Sequence, residues 1–173
     1  MRGRTLLILG GAAGALALIG ALKMSGDNLH GKKWDYLLPE MKHKALQLLA
    51  QAKAAGLDVM FEDGWRSPGR EAQYQKQKTS ELKDQYNSYH TWGAAVDIVF
   101  RSALGQPEWP DASDPRWQEL GKIGKALGLE WGGDWHTFKD MAHFQLPSVS
   151  VAQLRNTYGT NYLAWLRDNG AIA

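Results

Sequence analysis

The chain has 173 residues, 44% hydrophobic and 22% charged, enough for one folded domain with a real core plus an appendage. Its formal net charge of +2 comes from Arg2 and Arg4; the remaining basic residues balance the acidic ones, and no long basic run marks a nucleic-acid surface. There is no cysteine, which excludes thiol catalysis, disulfides and cysteine zinc sites, so any metal must be held by His, Asp or Glu.

After the two arginines comes an uncharged run from Thr5 to Leu22, roughly 27 Å long as a helix and just short of a ~30 Å hydrocarbon core. The arginines favour a cytoplasmic N-terminus and export of residues 30–173 across the inner membrane. A cleaved signal peptide fits the small-x-small pattern at Ala15–Ala17, whereas an uncleaved anchor fits the length and the polar switch at Lys23. Residues 1–24 are expected to be this hydrophobic helix, 25–37 a linker and 38–173 the folded domain.

Within the domain, Pro39 in a first turn and Gly56 at an end bracket a helix with Met41, Ala45, Leu48, Leu49 and Ala52 on its apolar face. A strand over 57–62 ends at Asp63-Gly64. Ser67 as N-cap and Pro68 as first residue start a polar helix that runs on to about Tyr86. Ala94–Phe100 is rich in β-branched and aromatic residues and reads as a buried strand, with Gly93 before it. Residues 101–115 read as a loop, and Asp114 caps a helix from Pro115 to about Leu127, stopped by Gly128. Short strands at 129–133 and 142–147 precede a mostly helical tail from Ser150, broken near Gly159. The pattern is α+β: a small, mainly antiparallel sheet with helices around it.

Asp97 interrupts the apolar strand at 94–100. An unpaired carboxylate there costs several kcal/mol, so a loop backbone, an arginine or a cation must relieve it. Of the five histidines, His30 falls in the linker and His43 on a charged helix face. His90 precedes the Asp97 strand, and His143 begins another, sharing a face with Gln145 and opposite to Phe144 and Leu146. Asp140 lies in the turn before His143. Two histidines with one or two carboxylates at strand ends are what a catalytic zinc site uses, three ligands leaving one position for water.

Three segments in order carry a resemblance. "SYHTWGAAVD" (88–97) matches an S-x-H-x-x-G-x-A-x-D pattern, "DGWRSPGREAQY" (63–74) an Arg-Ser segment with a following Gln, and "EWGGDWHTFKDMAHFQL" (130–146) a closing G-G-x-W-x-x-F-x-D-x-x-H-F segment. Over about residues 38–147 the chain resembles the VanY-like zinc D-alanyl-D-alanine carboxypeptidases and L-alanyl-D-glutamate endopeptidases. The resemblance implies a hedgehog/DD-peptidase-like fold, Zn2+ held by His90, Asp97 and His143, Asp140 as general base and Arg66 steadying the substrate carbonyl. It also implies Ser88 near the substrate. Trp92, Trp135 and His136 join it as candidate substrate contacts beside the cleft. Trp65 and Trp131 are further candidates for its walls, and Trp34, Trp109, Trp117 and Trp165 are assigned to packing.

The implied function is an exported, monomeric hydrolase of peptidoglycan stem peptides, cutting between L-Ala and D-Glu in the manner of a phage endolysin. An Asp rather than a Glu at 140 resembles the endopeptidase branch. D-alanyl-D-alanine carboxypeptidase activity is the alternative, and a non-catalytic wall-binding module is a third reading. The glycine- and alanine-rich N-terminal run resembles the signal-arrest-release segments of some phage lysis enzymes, which enter the membrane and later leave it.

Overall fold

The computed structural model describes residues 32–77 and 83–173. The run Thr5–Leu22 lies outside the described residues, and among these no helix is long and apolar enough to cross a membrane. The elements are α1 (Lys32–Asp35), α2 (Pro39–Ala54), β1 (Val59–Asp63), α3 (Pro68–Lys76), β2 (Ala95–Arg101), β3 (Pro107–Glu108), α4 (Pro115–Ala126), β4 (Glu130–Trp131), β5 (His143–Gln145), α5 (Val151–Tyr158) and α6 (Tyr162–Asp168). Short 3₁₀ turns occupy Gln85–Asn87, Tyr89–Trp92 and Gly132–Asp134. The architecture is α+β, as the sequence implied. The strands run in the order β1-β2-β5-β4, all antiparallel, with β3 on the far end of β2 at Phe100 and Arg101.

Alternation along β2 sends Val96, Ile98 and Phe100 to one face and Asp97 to the other. Their cross-strand partners Val59, Phe61, Phe144 and, beyond it, Trp131 complete the apolar face. Helix α4 lies on it, with Trp117 edge-on to Phe100 at 4.6 Å between centroids. The close approach depends on Gly124 and Gly121, because a Cβ at either would overlap the rings of Phe144 and Trp131. Met41, Ala45, Leu48, Leu49 and Ala52 of α2 are buried in the same core, as their spacing predicted.

A register shift in β1 sets up the opposite face. Phe61 pairs with Ile98, yet Asp63 pairs with Asp97, so β1 carries one extra residue between them. Without that bulge Asp63 would share the core face of Phe61; with it, Asp63 stands beside Asp97. A row Asp63–Asp97–His143 therefore crosses three strands.

Four expectations are corrected. Residues 32–37 are not linker: Leu37 is fully buried, Trp34 packs edge-on against Phe61, and the Lys33 carbonyl accepts the Trp65 N–H. The helix begun at Ser67 ends at Lys76, and Gln85–Asn87 is a separate turn whose N-cap Asp84 accepts the Tyr86 N–H; residues 78–82 lie outside the described set. The stretch read as a loop after Arg101 contains β3, which uses the free edge at the end of β2. Finally, Gly132–Asp134 leaves the sheet as a turn, because the Gly132 carbonyl accepts the N–H groups of Trp135 and Asp140 and folds the chain back.

Candidate metal centre

His90 is carried by the turn Tyr89–Trp92. Gly93 ends that turn at φ 69, where an L side chain is strained and where a Cβ would sit on the Tyr36 carbonyl. Trp92 anchors the turn from below: it is wholly buried and donates its indole N–H to the Tyr86 carbonyl at 2.7 Å. It therefore packs the fold and does not touch a substrate, contrary to expectation. Trp65 and Trp131 are buried too, Trp65 against Tyr36 and Trp131 donating to the Met141 carbonyl. Trp109, assigned to packing, is 58% exposed.

Three atoms converge from the turn and from two paired strands. His90 Nε2 lies 3.2 Å from His143 Nδ1, and Asp97 Oδ1 lies 3.3 Å from the first and 3.4 Å from the second. Each imidazole is turned by its other nitrogen. His90 Nδ1 faces the Gly64 carbonyl at 2.6 Å and His143 Nε2 faces Gln145 Oε1 at 3.0 Å, so both outer N–H groups donate outward. In the neutral rings the inner nitrogens are then lone pairs aimed at a carboxylate oxygen that is buried and has no hydrogen-bond partner. Such a set repels itself unless a cation or a proton joins it. The separations also match the edge of a tetrahedron with metal–ligand bonds of ~2.0–2.1 Å, about 3.3 Å. The residues present fit a divalent ion.

The charges around the set are tightly matched. With protons in place of a metal on the inner nitrogens, burial raises the Asp97 carboxyl, but the charges of His90 and Arg66 and the hydrogen bonds those protons allow outweigh it and hold it well below the usual carboxylate range. Burial lowers His143, yet its hydrogen bond to Asp97 and that residue's charge keep it above the ordinary imidazole value. Arg66 binds three carboxylates at once: Nε to Asp63 at 2.9 Å, Nη1 to Glu71 at 3.4 Å, and Nη2 to Asp97. Their charges outweigh its burial and raise its pKa further.

A cavity of about 410 Å³ opens over the two imidazoles, and Arg66, Ser88, Trp135 and Asp140 line it. Asp140 arrives there through the fold-back on Gly132, and its carboxyl is pushed up first by burial and second by the charge of Asp97. Trp135 sets its ring 5.0 Å from that of His143. His136 is exposed and is not part of the lining, although its neighbours Trp135 and Thr137 are. Sequence reasoning missed Glu71, which looks like a surface residue of a polar helix but is 1% exposed. It also gave no role to Gln145, although the shared face with His143 was a usable signal.

This fold and this site place the chain in a defined class: it belongs to the M15 peptidase family. Residues 82–146 match the family model described as D-alanyl-D-alanine carboxypeptidase. The chain is 33% identical over 122 residues to the peptidoglycan L-alanyl-D-glutamate endopeptidase CwlK of Bacillus subtilis, covering 64% of this chain and 73% of that one. It is 30% identical over 110 residues to the L-alanyl-D-glutamate peptidase of Listeria phage A118, spanning 63% of this chain but only 37% of the phage protein. The crystal structure of the Serratia marcescens L-Ala D-Glu endopeptidase ChiX has the same fold, with a TM-score of 0.55, 22% identity, and coverage of 73% of this chain and 87% of that one. M15 peptidases are generally metal-dependent, and His90, Asp97 and His143 can hold a metal.

Proposed function

We propose that the protein is a zinc endopeptidase that cuts peptidoglycan stem peptides between L-Ala and D-Glu. The observation that carries this reading is the convergence of two imidazole lone pairs and one orphaned carboxylate oxygen beneath a cavity that also presents Asp140. The two curated relatives, both named for cleavage at L-alanyl-D-glutamate, support the choice of bond. His, His and Asp are a nitrogen and oxygen donor set suited to zinc.

Zinc held by these three side chains would lower the pKa of a water toward ~7 and polarise the scissile carbonyl. Asp140 accepts the proton of the attacking water, a task suited to a carboxyl whose pKa is raised, and returns it to the departing amine. Arg66 has two guanidinium N–H groups beyond the three its carboxylate partners engage, and these donate to the carbonyl oxygen as negative charge grows there. Trp135 and Ser88 wall the peptide in. Elemental analysis of the full-length chain should find one zinc, and His143→Ala should lose both zinc and activity. Full activity after complete metal removal would overturn the reading.

The charge-free N-terminal run supports a second part of the proposal: the chain is first tethered to the inner membrane with residues 30–173 outside, then released uncleaved, in the manner of an endolysin. Fractionation with N-terminal sequencing of the soluble form tests it. A start at Met1 or Arg2 supports release, whereas a start near Leu18 means a cleaved signal peptide.

A further inference from the structure

The cavity holds a carboxylate that the chemistry above does not use. Glu130, on β4 beside Gln145 of β5, lines it, and its Oε1 accepts the Trp135 indole N–H at 2.8 Å. That bond fixes the carboxylate against an aromatic ring. Tyr89 and Phe138 also line the cavity, the latter 40% exposed, and Glu130 is close enough to the Tyr89 phenol to add to the upward push that burial gives it.

Among the described residues no cation answers Glu130. Among these it forms no ion pair, and the one cation of the lining, Arg66, is committed to Asp63, Glu71 and Asp97. The lining carries Glu71, Glu130 and Asp140 against Arg66 alone. Even a divalent ion, set against Asp97 as well, leaves this wall negative. A fixed carboxylate in a cavity also lined by aromatic side chains is an environment that receives an alkylammonium group, by charge-assisted hydrogen bonding to the carboxylate with its methylenes against the rings.

We propose that Glu130, with Trp135 and Tyr89, forms a subsite for an ammonium group of the substrate. The inference rests on the stem-peptide reading and gives it a preference: peptides with a free amine over peptides in which it is acylated. Stem peptides offer two such amines. One is the α-amine of L-Ala once the peptide has left the glycan, and the other is the side-chain amine of the diamino acid that follows D-Glu.

The test compares kcat/KM of the full-length zinc-loaded protein on L-Ala-γ-D-Glu-L-Lys with that on the Nα-acetyl and Nε-acetyl forms. Wild type should favour the free amine over one acetylated form by about tenfold, the size expected of one charge-assisted contact, and which acetylation matters identifies the amine. In Glu130→Gln, which can still accept from Trp135, the ratio should fall to near one, and any general loss of rate divides out. A wild-type ratio near one, or a ratio unchanged in Glu130→Gln, overturns the subsite. If the variant is inactive, equilibrium binding of the same peptides to zinc-free protein gives the same ratio. If wild type cuts none of the peptides, the endopeptidase reading has failed, while the binding ratio still decides the subsite.

Discussion

Replacing Arg66 by Ala should be felt as instability as well as lost catalysis, because its three carboxylate partners are released together. Asp63 would keep Lys33 at 3.4 Å and Arg70 at 3.8 Å, and Asp97 would keep both imidazoles. Glu71 is left worst placed: it is 1% exposed, and no other described cation pairs with it. Removing one partner of a buried pair costs about 3–5 kcal/mol. The 3.4 Å separation and the 15% exposure of the arginine side chain place this case at the lower end, about 3 kcal/mol. Loss of the guanidinium packed 4.9 Å over the Tyr74 ring acts in the same direction. Adding Glu71→Gln to Arg66→Ala should recover at least ~1 kcal/mol, since the neutral amide costs less to bury than an unpaired charge. Urea unfolding followed by tryptophan fluorescence, with chelator present so that metal linkage does not contribute, measures both numbers. A loss below ~1 kcal/mol for Arg66→Ala, or the same loss with and without Glu71→Gln, would refute the assignment of Arg66 as the hub of this network.

Two further outcomes follow from the geometry. Asp140→Asn should retain the bound metal of the wild type yet lower kcat by on the order of 10²–10⁴, the usual contribution of a general acid–base group; a variant that arrives without metal would make Asp140 a ligand instead. Gly124→Ala should destabilise the domain by about 1–3 kcal/mol, because its Cβ meets the Phe144 ring in a packed core, and an unchanged melting temperature would contradict the close approach of α4 to the sheet.

The sheet and the flanking helices were legible because their cues are local: Pro39 and Pro68 at helix starts, Gly128 after a helix end, β-branched residues along β2. Asp97 stood out because a carboxylate inside an apolar strand demands a partner, and its grouping with His90 and His143 came from the resemblance of the three motifs; the structure brings the three together. What was hidden depends on registers and on distant contacts. The bulge between Phe61 and Asp63 leaves no compositional trace, yet it turns Asp63 toward Asp97 and so fixes Arg66. Trp92 looked like a cleft residue because it lies inside a motif, but its neighbours on α6 and the turn at Tyr86 enclose it, Trp165 donating to its carbonyl. Glu71 sits in a helix whose sequence is largely polar and Glu130 in a short strand, and only the folded chain brings one to Arg66 and the other to Trp135.

The identity of the bond that is cut is the decisive measurement. Purified peptidoglycan digested with the full-length, zinc-loaded protein and resolved by mass analysis of its muropeptides should yield fragments with a new N-terminal D-Glu and leave the glycan intact, and Asp140→Asn should yield almost none. Released D-Ala would move the chain to carboxypeptidase chemistry, cut glycan would remove it from the peptidases, and an unchanged muropeptide pattern with zinc in place would contradict the catalytic reading of the site.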